Sequence, residues 1–467
     1  MGAVEPVSTL QGNWADEAMA SQREYFMSGA TRSYEFRVAQ LKKLKQVLAD
    51  HQGEIIEALK KDLGRPATEG YIELSTAFED LKHTIKHLKS WMKPQRVGTT
   101  MWAQPGRSRI ESTPLGVNFI MGPYNYPFLL CVQPLIGAIA GGNTVIMKPS
   151  SLNPATSQLL ADLAQKYFDP RLWAVFQGST EITNALLEQP FDHIFFTGSP
   201  RVGRIVMAAA AKHLTKVTLE LGGKSPTIIH SDANLKLAAK RTLAGKMLNV
   251  GQTCIAPDHI FVHSSVKEQF EKHLLDAMKE FYGEADENNP DLGRMINGRH
   301  FERVRDLIDQ TKVIFGGKSV AEQKFIQPTL LSNVTMDDPI MQEEIFGPVL
   351  PILTYDNLQE LYANIRKLPS HPLALYLFTN SSQVEEDVLA NVQFGGGCIN
   401  NTVMHVANAN LPFGGVGESG MGAYHGKSSF DTFTHKRAIL KSATFLDIKL
   451  RYAPYGDRAN MLSKMIK

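Results

Sequence analysis

Cysteine is scarce in this chain: three in 467 residues, Cys131, Cys254 and Cys398, an odd number with no CxxC pair. That scarcity argues against a disulfide framework or a cysteine-built zinc site, and it fits a reducing compartment. An excess of either charge is missing too. The 49 basic and 47 acidic residues leave a net +2, too little to point to nucleic acid or an anionic membrane as the main partner. The opening MGAVEPVSTLQGNW lacks a basic segment followed by an apolar one, so it does not read as a secretory signal. Pro6 stands where a myristoylation signal wants Ser or Thr. Residues 112–147 carry no charge, but Pro123, Pro127 and Pro134, with Asn118, Asn125 and Gln133, break the run and argue against a lipid-facing helix. The ending RYAPYGDRANMLSKMIK is polar and basic, unlike an anchor. A cytoplasmic protein is expected. No GxxxxGK[ST] occurs and the fourteen histidines show no metal-ligand spacing, so neither a P-loop nucleotidase nor a metal site is indicated.

What is present is an ordinary globular composition, 43% apolar and 21% charged, at a length that suits two or three domains. Helical periodicity opens the chain. Val38, Leu41, Leu44 and Leu48 form one stripe, and Phe78, Leu81, Ile85 and Leu88 another, with Gly64, Pro66 and Pro94 as stops. Short apolar runs then alternate with helical stretches. TVIMKP, LWAVFQG, HIFFTG, KVTLEL and TIIH come first, followed by HIFVH, KVIFGG, GPVLPILTY, LALYLFT and GGGCIN. Strands separated by helices predict an α/β fold with parallel sheets covered on both faces. No linker divides the pattern, and the boundary between two α/β domains is placed near Leu221 to Gly223.

Of the glycine motifs, Gly415, Gly417 and Gly420 match GxGxxG but lack a preceding strand and a following helix, so they read as a structural loop. FFTGSPRVGRIV offers more. Its strand, its Gly198–Ser199 turn and a helix starting near Pro200 make an anion cradle. Cys131 lies in an apolar run and reads as core, as does Cys398. Cys254, in LNVGQTCIAPD, instead sits among small and polar residues, an open setting that suits a nucleophile with a noticeable thiolate fraction near neutral pH.

Asn125 in IMGPYNYPFLL, Lys148 in TVIMKPSS, Glu220 in VTLELGGKSP, Cys254 in GQTC, and Glu344 and Phe346 in MQEEIFGPV occur in that order. Together they resemble the NAD(P)-dependent aldehyde dehydrogenase superfamily over nearly the whole chain. GPYNYPF, QTCIAPD, FYGE, PLALYLF and SGMGAYHGKSSFDTF are similar to its class 3 branch of fatty- and aromatic-aldehyde enzymes.

The resemblance implies a Rossmann-like cofactor domain (1–94 and 112–221), an α/β catalytic domain (222–432), and a small β oligomerisation element with a C-terminal tail (95–111 and 433–467). A homodimer follows from it, and TTMWAQPGRSRIESTP alternates like a hairpin. The implied reaction oxidises an aldehyde to a carboxylic acid with NAD(P)+, through a thiohemiacetal and a thioester on Cys254. Asn125 and the Cys254 backbone N–H would hold the oxyanion, and Glu220, its pKa raised by burial, would activate water. On the cofactor, Lys148 would meet the adenosine ribose, Gly198 and Ser199 the pyrophosphate, Glu344 rather than Glu343 the nicotinamide ribose, and Phe346 the nicotinamide ring.

Two departures from family pattern matter. Ser151 stands where NAD-selective relatives often carry glutamate, so with Lys148 it is expected to admit NADP, NAD being usable too; the plain alternative is that Ser151 caps the next helix. Ala244 replaces a tryptophan frequent ten residues before the nucleophile, which suggests a wider entrance and bulky apolar substrates, medium- or long-chain aliphatic or aromatic. Two other chemistries remain open: a CoA-acylating aldehyde dehydrogenase, which would not need Glu220, and a cofactor-independent cysteine hydrolase, which predicts a histidine beside Cys254.

Overall fold

The apolar stripes near the start form successive helices: α1 (Trp14–Met27), α2 (Tyr34–Asp50), α3 (Gln52–Leu63) and α4 (Ala67–Trp91). They belong to a computed structural model that describes residues 12–369, 371–447 and 451–465. The reading of residues 1–11 and of the last two residues therefore lies outside the described residues. Leu41, Leu44, Leu48, Leu81 and Leu88 are buried in one core. Gly64 ends α3 in the left-handed conformation (φ 62°), which glycine adopts without a Cβ penalty.

The predicted hairpin is β1 (Gln95–Val97) paired antiparallel with β2 (Arg107–Pro114). The charge-free run then resolves into more than one element. β3 (Val117–Met121), a strand the apolar run concealed, leads through a loop to α5 (Leu129–Gly141) and β4 (Thr144–Lys148). Pro134 lies inside α5 instead of ending it. In the second turn of a helix a proline forfeits a single backbone bond, and here dense burial outweighs that loss. Among the described residues no helix is long and apolar enough to cross a membrane.

Helix and strand alternate from there: α6 (Pro154–Tyr167), β5 (Trp173–Val175), α7 (Thr180–Leu187), β6 (His193–Thr197), α8 (Pro200–Ala211) and β7 (Lys216–Glu220). Then come β8 (Pro226–Ile229), α9 (Leu235–Met247), β9 (His259–His263) and β10 (Val313–Phe315). A small ribbon, β11 (Ser319–Val320) with β12 (Phe325–Ile326), precedes β13 (Thr329–Leu331), β14 (Val349–Tyr355), β15 (Ala374–Phe378) and β16 (Gly396–Ile399). β17 (Gly420–Met421) and β18 (Thr434–Lys441) complete the strands. Every apolar run named from sequence became a strand.

Three larger sheets result. The first has the order β17-β7-β6-β3-β4-β5, parallel except for β17. The second runs β10-β13-β14-β9-β8-β15-β16, parallel except for β10. The third, β1-β2-β18, is antiparallel.

In the first sheet the chain moves outward from β3 to β4 and β5, then returns to the other side of β3 for β6 and β7. Such a reversal opens a crevice at the carboxyl ends of the strands, where open α/β sheets bind ligands. Lys148 closes β4, Glu220 closes β7, and Gly198 and Ser199 follow β6. Sequence order has thus delivered the candidate residues to one edge.

The start of α6 corrects one reading. Ser151 is exposed, makes no hydrogen bond among the described residues, and does not cap the helix, whose N-cap position is Asn153. The free N–H groups go instead to Asp62 of α3, which accepts from Ala155 N (3.1 Å) and Thr156 N (2.8 Å). A carboxylate at a helix N-terminus also complements the dipole. Ser151 is left available.

Candidate active site

Cys254 lies on the turn between α9 and β9, after an unusual piece of backbone. Asn249 (φ 51°), Val250 (φ 46°) and Gly251 (φ 77°) are left-handed in succession. For a β-branched residue such as Val250 this conformation is a true outlier, costing about 1–3 kcal/mol, and it persists only where the surroundings over-determine it. Here they do. Asn249 Nδ2 donates to Asn125 O (2.9 Å) and Gln252 O (3.2 Å), and Gln252 Nε2 donates to Asn249 O (3.3 Å) and Arg294 O (3.0 Å).

The Cys254 setting is less open than its sequence suggested. The residue is half-buried, and burial pushes its thiol upward, with Glu344 and then Glu220 adding to the effect; the backbone N–H groups of Cys254 and Ile255 act in the other direction. Burial thus works against the standing thiolate fraction that the open sequence setting suggested. Glu344 and Glu220 are the charged groups that act most strongly on it.

Glu220 is buried at the end of β7, and neither carboxylate oxygen has a hydrogen-bond partner among the described residues. Desolvation raises its pKa well above the ordinary value, the direction expected of a strand-end carboxyl. The glycine loop at 415–420 pins this residue: Gly420 pairs with Glu220 across β17 and β7, and Ser419 O accepts from Leu221 N (3.0 Å). GxGxxG is thus structural here. Asn125, only 3% exposed, sits in the loop after β3; its side-chain amide has no partner among the described residues. A second stitch joins this loop to the cysteine turn, between Tyr126 OH and Thr253 Oγ1 (2.8 Å).

The two glutamates of MQEEIFGPV divide cleanly. Glu343 pairs with Arg303 (3.0 Å), whereas the Glu344 carboxylate faces Gly222 and accepts from Gly223 N–H. A Cβ at Gly222 would displace that carboxylate, so glycine lets Glu344 approach the backbone there. Phe346 is left-handed (φ 49°) and meets Tyr124 edge to face, with centroids 5.9 Å apart. Lys148 is buried, and its ammonium has no hydrogen bond or ion pair among the described residues; desolvation lowers its pKa. After β6, Gly198 N–H is already taken by Glu220 O (2.9 Å), while Ser199 Oγ caps α8 by accepting from Val202 N (3.4 Å). Gly198 therefore contributes space, not a free donor, in this arrangement. Of the other cysteines, Cys131 is buried as expected. Cys398 is not: it is half-buried on β16, with Sγ 3.5 Å from His405 Nδ1.

Tyr376 and Tyr424, which both interact electrostatically with Cys254, continue into a wall of rings: Tyr376 meets His405 (6.1 Å) and Tyr424 meets Phe413 (5.7 Å). Phe413 stacks between His405 (6.0 Å) and His425 (5.2 Å). Burial pushes His405 down to about 4 and His425 to about 3, so both rings are uncharged at neutral pH. No local motif announced this wall, since its members lie far apart in sequence.

The model of the aldehyde dehydrogenase family matches residues 4–439. A 4,4'-diaponeurosporen-aldehyde dehydrogenase of Staphylococcus aureus is 44% identical over 458 residues, covering 97% of this chain and 100% of the relative. The chain belongs to the aldehyde dehydrogenase family. A dimeric, NADP-preferring aldehyde dehydrogenase of Rattus norvegicus is 46% identical, with 92% of this chain and 96% of the relative covered. A solved structure of a Staphylococcus aureus AldH in a substrate-bound state superposes with a TM-score of 0.94 at 44% identity, over 97% of this chain and 99% of that one. The resemblance read from motifs is thereby shown. The enzyme is an NAD(P)-dependent oxidoreductase acting on aldehydes.

The residues present suit that cofactor: the buried Lys148 ammonium has no hydrogen bond or ion pair among the described residues, and it closes a strand at the mouth of the crevice.

Glu344 generates a stability prediction. Its carboxyl is pushed up to about 8, by burial first and by Asp258 next. A carboxyl raised on folding favours the folded state while protonated; that contribution is intact below its ordinary value of 4.5 and is lost as pH rises toward about 8. Glu344→Gln removes the titration. Between about pH 5 and about pH 9, the Tm of the variant should fall less than that of the wild type in scanning calorimetry. Parallel curves would show that Glu344 is not held in a desolvated site.

Proposed function

We propose that the enzyme oxidises bulky apolar aldehydes through a covalent cycle on Cys254. The observation that carries this reading is the buried, unpaired carboxylate of Glu220 beside the Cys254 thiol. A thiol raised by burial needs a base at the moment of attack, and Glu220 has no other partner among the described residues. As Sγ bonds to the carbonyl carbon, the thiol proton passes to Glu220 and the carbonyl oxygen takes up negative charge. The Asn125 amide and the Cys254 backbone N–H receive that charge; losing one such donor typically costs ~3–4 kcal/mol. Bound NAD(P)+ supplies the hydride acceptor that turns the thiohemiacetal into a thioester. Glu220 releases that first proton to solvent and then takes a second from water as the water attacks the thioester carbon. The departing thiolate takes this proton back, so the acid is released and the thiol restored. A CoA-acylating enzyme would have no use for that second role.

Lys148 and Ser151 would hold the adenosine ribose and its substituent, Ser199 the pyrophosphate, Glu344 the nicotinamide ribose, and Phe346 with Tyr124 the ring. The first sheet is read as the cofactor domain (1–94 and 112–221), the second as the catalytic domain (222–432), and β1-β2-β18 as the oligomerisation element with its tail (95–111 and 433–467). Exposed Trp102 and Leu440, and the unpaired outer edge of β18, suit a homodimer, whose mass sedimentation reads directly. A cytoplasmic location fits the sequence.

Apolar substrates follow from the wall of Phe413, Tyr376 and two neutral histidines. Thr402 Oγ1 donates to Arg241 O (2.7 Å), which packs the α9 segment bearing exposed Ala244 against the loop that carries exposed Met404 and Leu411. A small residue beside exposed apolar side chains suits a wide entrance. The diaponeurosporen-aldehyde relative is consistent with a long chain.

Two outcomes test the proposal. Cys254→Ala should abolish aldehyde oxidation while cofactor binding, followed by fluorescence titration, survives; Cys131→Ala should keep most of its turnover. Substantial turnover by Cys254→Ala would contradict the cycle.

The second concerns cofactor choice. With Ser151 and Lys148 both unpartnered and no carboxylate to repel a 2′-phosphate, NADP should be accepted. A kcat/KM preference for NAD of about a hundredfold, or ~2.7 kcal/mol, would refute this. Ser151→Glu should shift preference toward NAD.

A further inference from the structure

Both oxyanion donors stand on irregular backbone, so something must fix their separation. The loop bearing Asn125 and the turn bearing Cys254 come from different sheets and meet at two points. One is the Tyr126–Thr253 contact; the other is Asn249 Nδ2, which reaches Asn125 O at 2.9 Å. Asn249 is fully buried and left-handed, a conformation asparagine tolerates better than most residues. Its own backbone N–H is held from behind by Glu69 Oε2 (3.0 Å), on the first turn of α4, 180 positions away in sequence.

The same helix holds the other partner. One turn further along α4, Glu73 Oε1 accepts from Phe128 N (3.1 Å) and Leu129 N (2.8 Å), the end of the Asn125 loop. Arg65 pairs with Glu73, acts electrostatically on Glu69, and lies over the Tyr126 ring at 5.0 Å. Two carboxylates at i and i+4 on one helix face thus grip the cysteine turn and the asparagine loop respectively. A rigid helix sets the distance between them.

We propose that Asn249 is a positioning residue that sets the separation of the Asn125 amide and the Cys254 backbone N–H, with Glu69 locking Asn249 in the conformation this requires. The inference rests on the reading of Cys254 and Asn125 given above. Neither Asn249 nor Glu69 touches substrate; each acts through the donors. Their loss misplaces the oxyanion site while leaving the thiol, the crevice and the aromatic wall in being.

Asn249→Gly keeps access to the left-handed backbone and removes the side-chain donor; Glu69→Ala removes the acceptor for the Asn249 N–H. Each should lower kcat, normalised to Cys254 thiol titrated with iodoacetamide, by about ten- to a hundredfold, the scale expected of small misplacements at a reacting centre. The KM for aldehyde and the Kd for NADP should stay within about threefold of wild type, since ground-state binding is not the target. Glu69→Gln, which can still accept from Asn249 N–H, should recover most of the loss. A purely structural role would instead lower Tm and the titratable thiol fraction, with kcat per thiol unchanged, and would overturn the proposal. If Asn249→Gly fails to fold, Glu69→Ala with its Gln counterpart decides on the same readout. Turnover by Cys254→Ala would mark failure of the underlying cycle; an inactive Cys254→Ala with normal kcat in Glu69→Ala would overturn this inference alone.

Discussion

Glu220 ends β7 with neither carboxylate oxygen hydrogen-bonded among the described residues, pinned by the β17 loop and acting on the thiol of the cysteine turn. Taking an ionised carboxylate out of water without partners costs several kcal/mol, so the group resists ionisation and its pKa rises. Much else follows from that burial. Burial, with Glu344 and then Glu220 adding to it, raises the nearby thiol as well. A carboxylate whose proton affinity is raised by burial is a stronger base than an ordinary one, suited to take the thiol proton when an aldehyde arrives. In that arrangement the nucleophile forms only on demand, and a stored thiolate, prone to oxidation, is avoided.

Holding such a site together demands buried polar contacts elsewhere, and the structure supplies them in an ordered way. Lys224 donates to Asp258 (2.6 Å) and to the carbonyls of Ile340 and Glu343 (both 2.9 Å), tying the Glu344 segment to the strand end that carries Gly222 and Gly223. Asp258 Oδ1 in turn accepts from Ile345 N (2.9 Å). This buried ion pair is satisfied on both sides, the condition under which a buried charge is tolerated. On the opposite side, Glu69, Arg65 and Glu73 do the same for the Asn125 loop and the left-handed turn before Cys254. The reacting residues sit between two clamps of charged, hydrogen-bonded and largely buried side chains.

Much of this was legible in the sequence because the chemistry is carried by short motifs at strand ends. Cys254, Glu220, Asn125, Lys148 and Glu344 each lie within a few residues of a glycine, a proline or an apolar run that announces a turn. The alternating runs gave most of the two large sheets; β3 escaped in an uncharged stretch without period, and β13 and β17, at three and two residues, were too short to show one. What could not be read is tertiary. Glu69 and Asn249 are 180 positions apart and ordinary in their local settings; α4 looks like a charged surface helix until Glu69 and Glu73 are seen to turn inward. Ser151 failed as a cap because Asp62, from a different helix, occupies that role. The setting of Cys254 was misjudged for a similar reason: a turn of small residues reads as open, yet the residue is half-buried, and the groups that act on its thiol, Glu220, Glu344, Tyr376 and Tyr424, are widely spread along the chain.

The central claim is that one cysteine carries the acyl group and one carboxylate removes it. Mixing Glu220→Gln enzyme with NADP and a long-chain aldehyde, quenching within the first turnovers, and weighing the intact protein and its peptides tests both parts at once. The account predicts an added mass equal to the acyl group, confined to the peptide containing Cys254 and longer-lived than in wild type. Full turnover to the acid by the variant at the wild-type rate, or an acyl group found on Cys131 or Cys398, would contradict it.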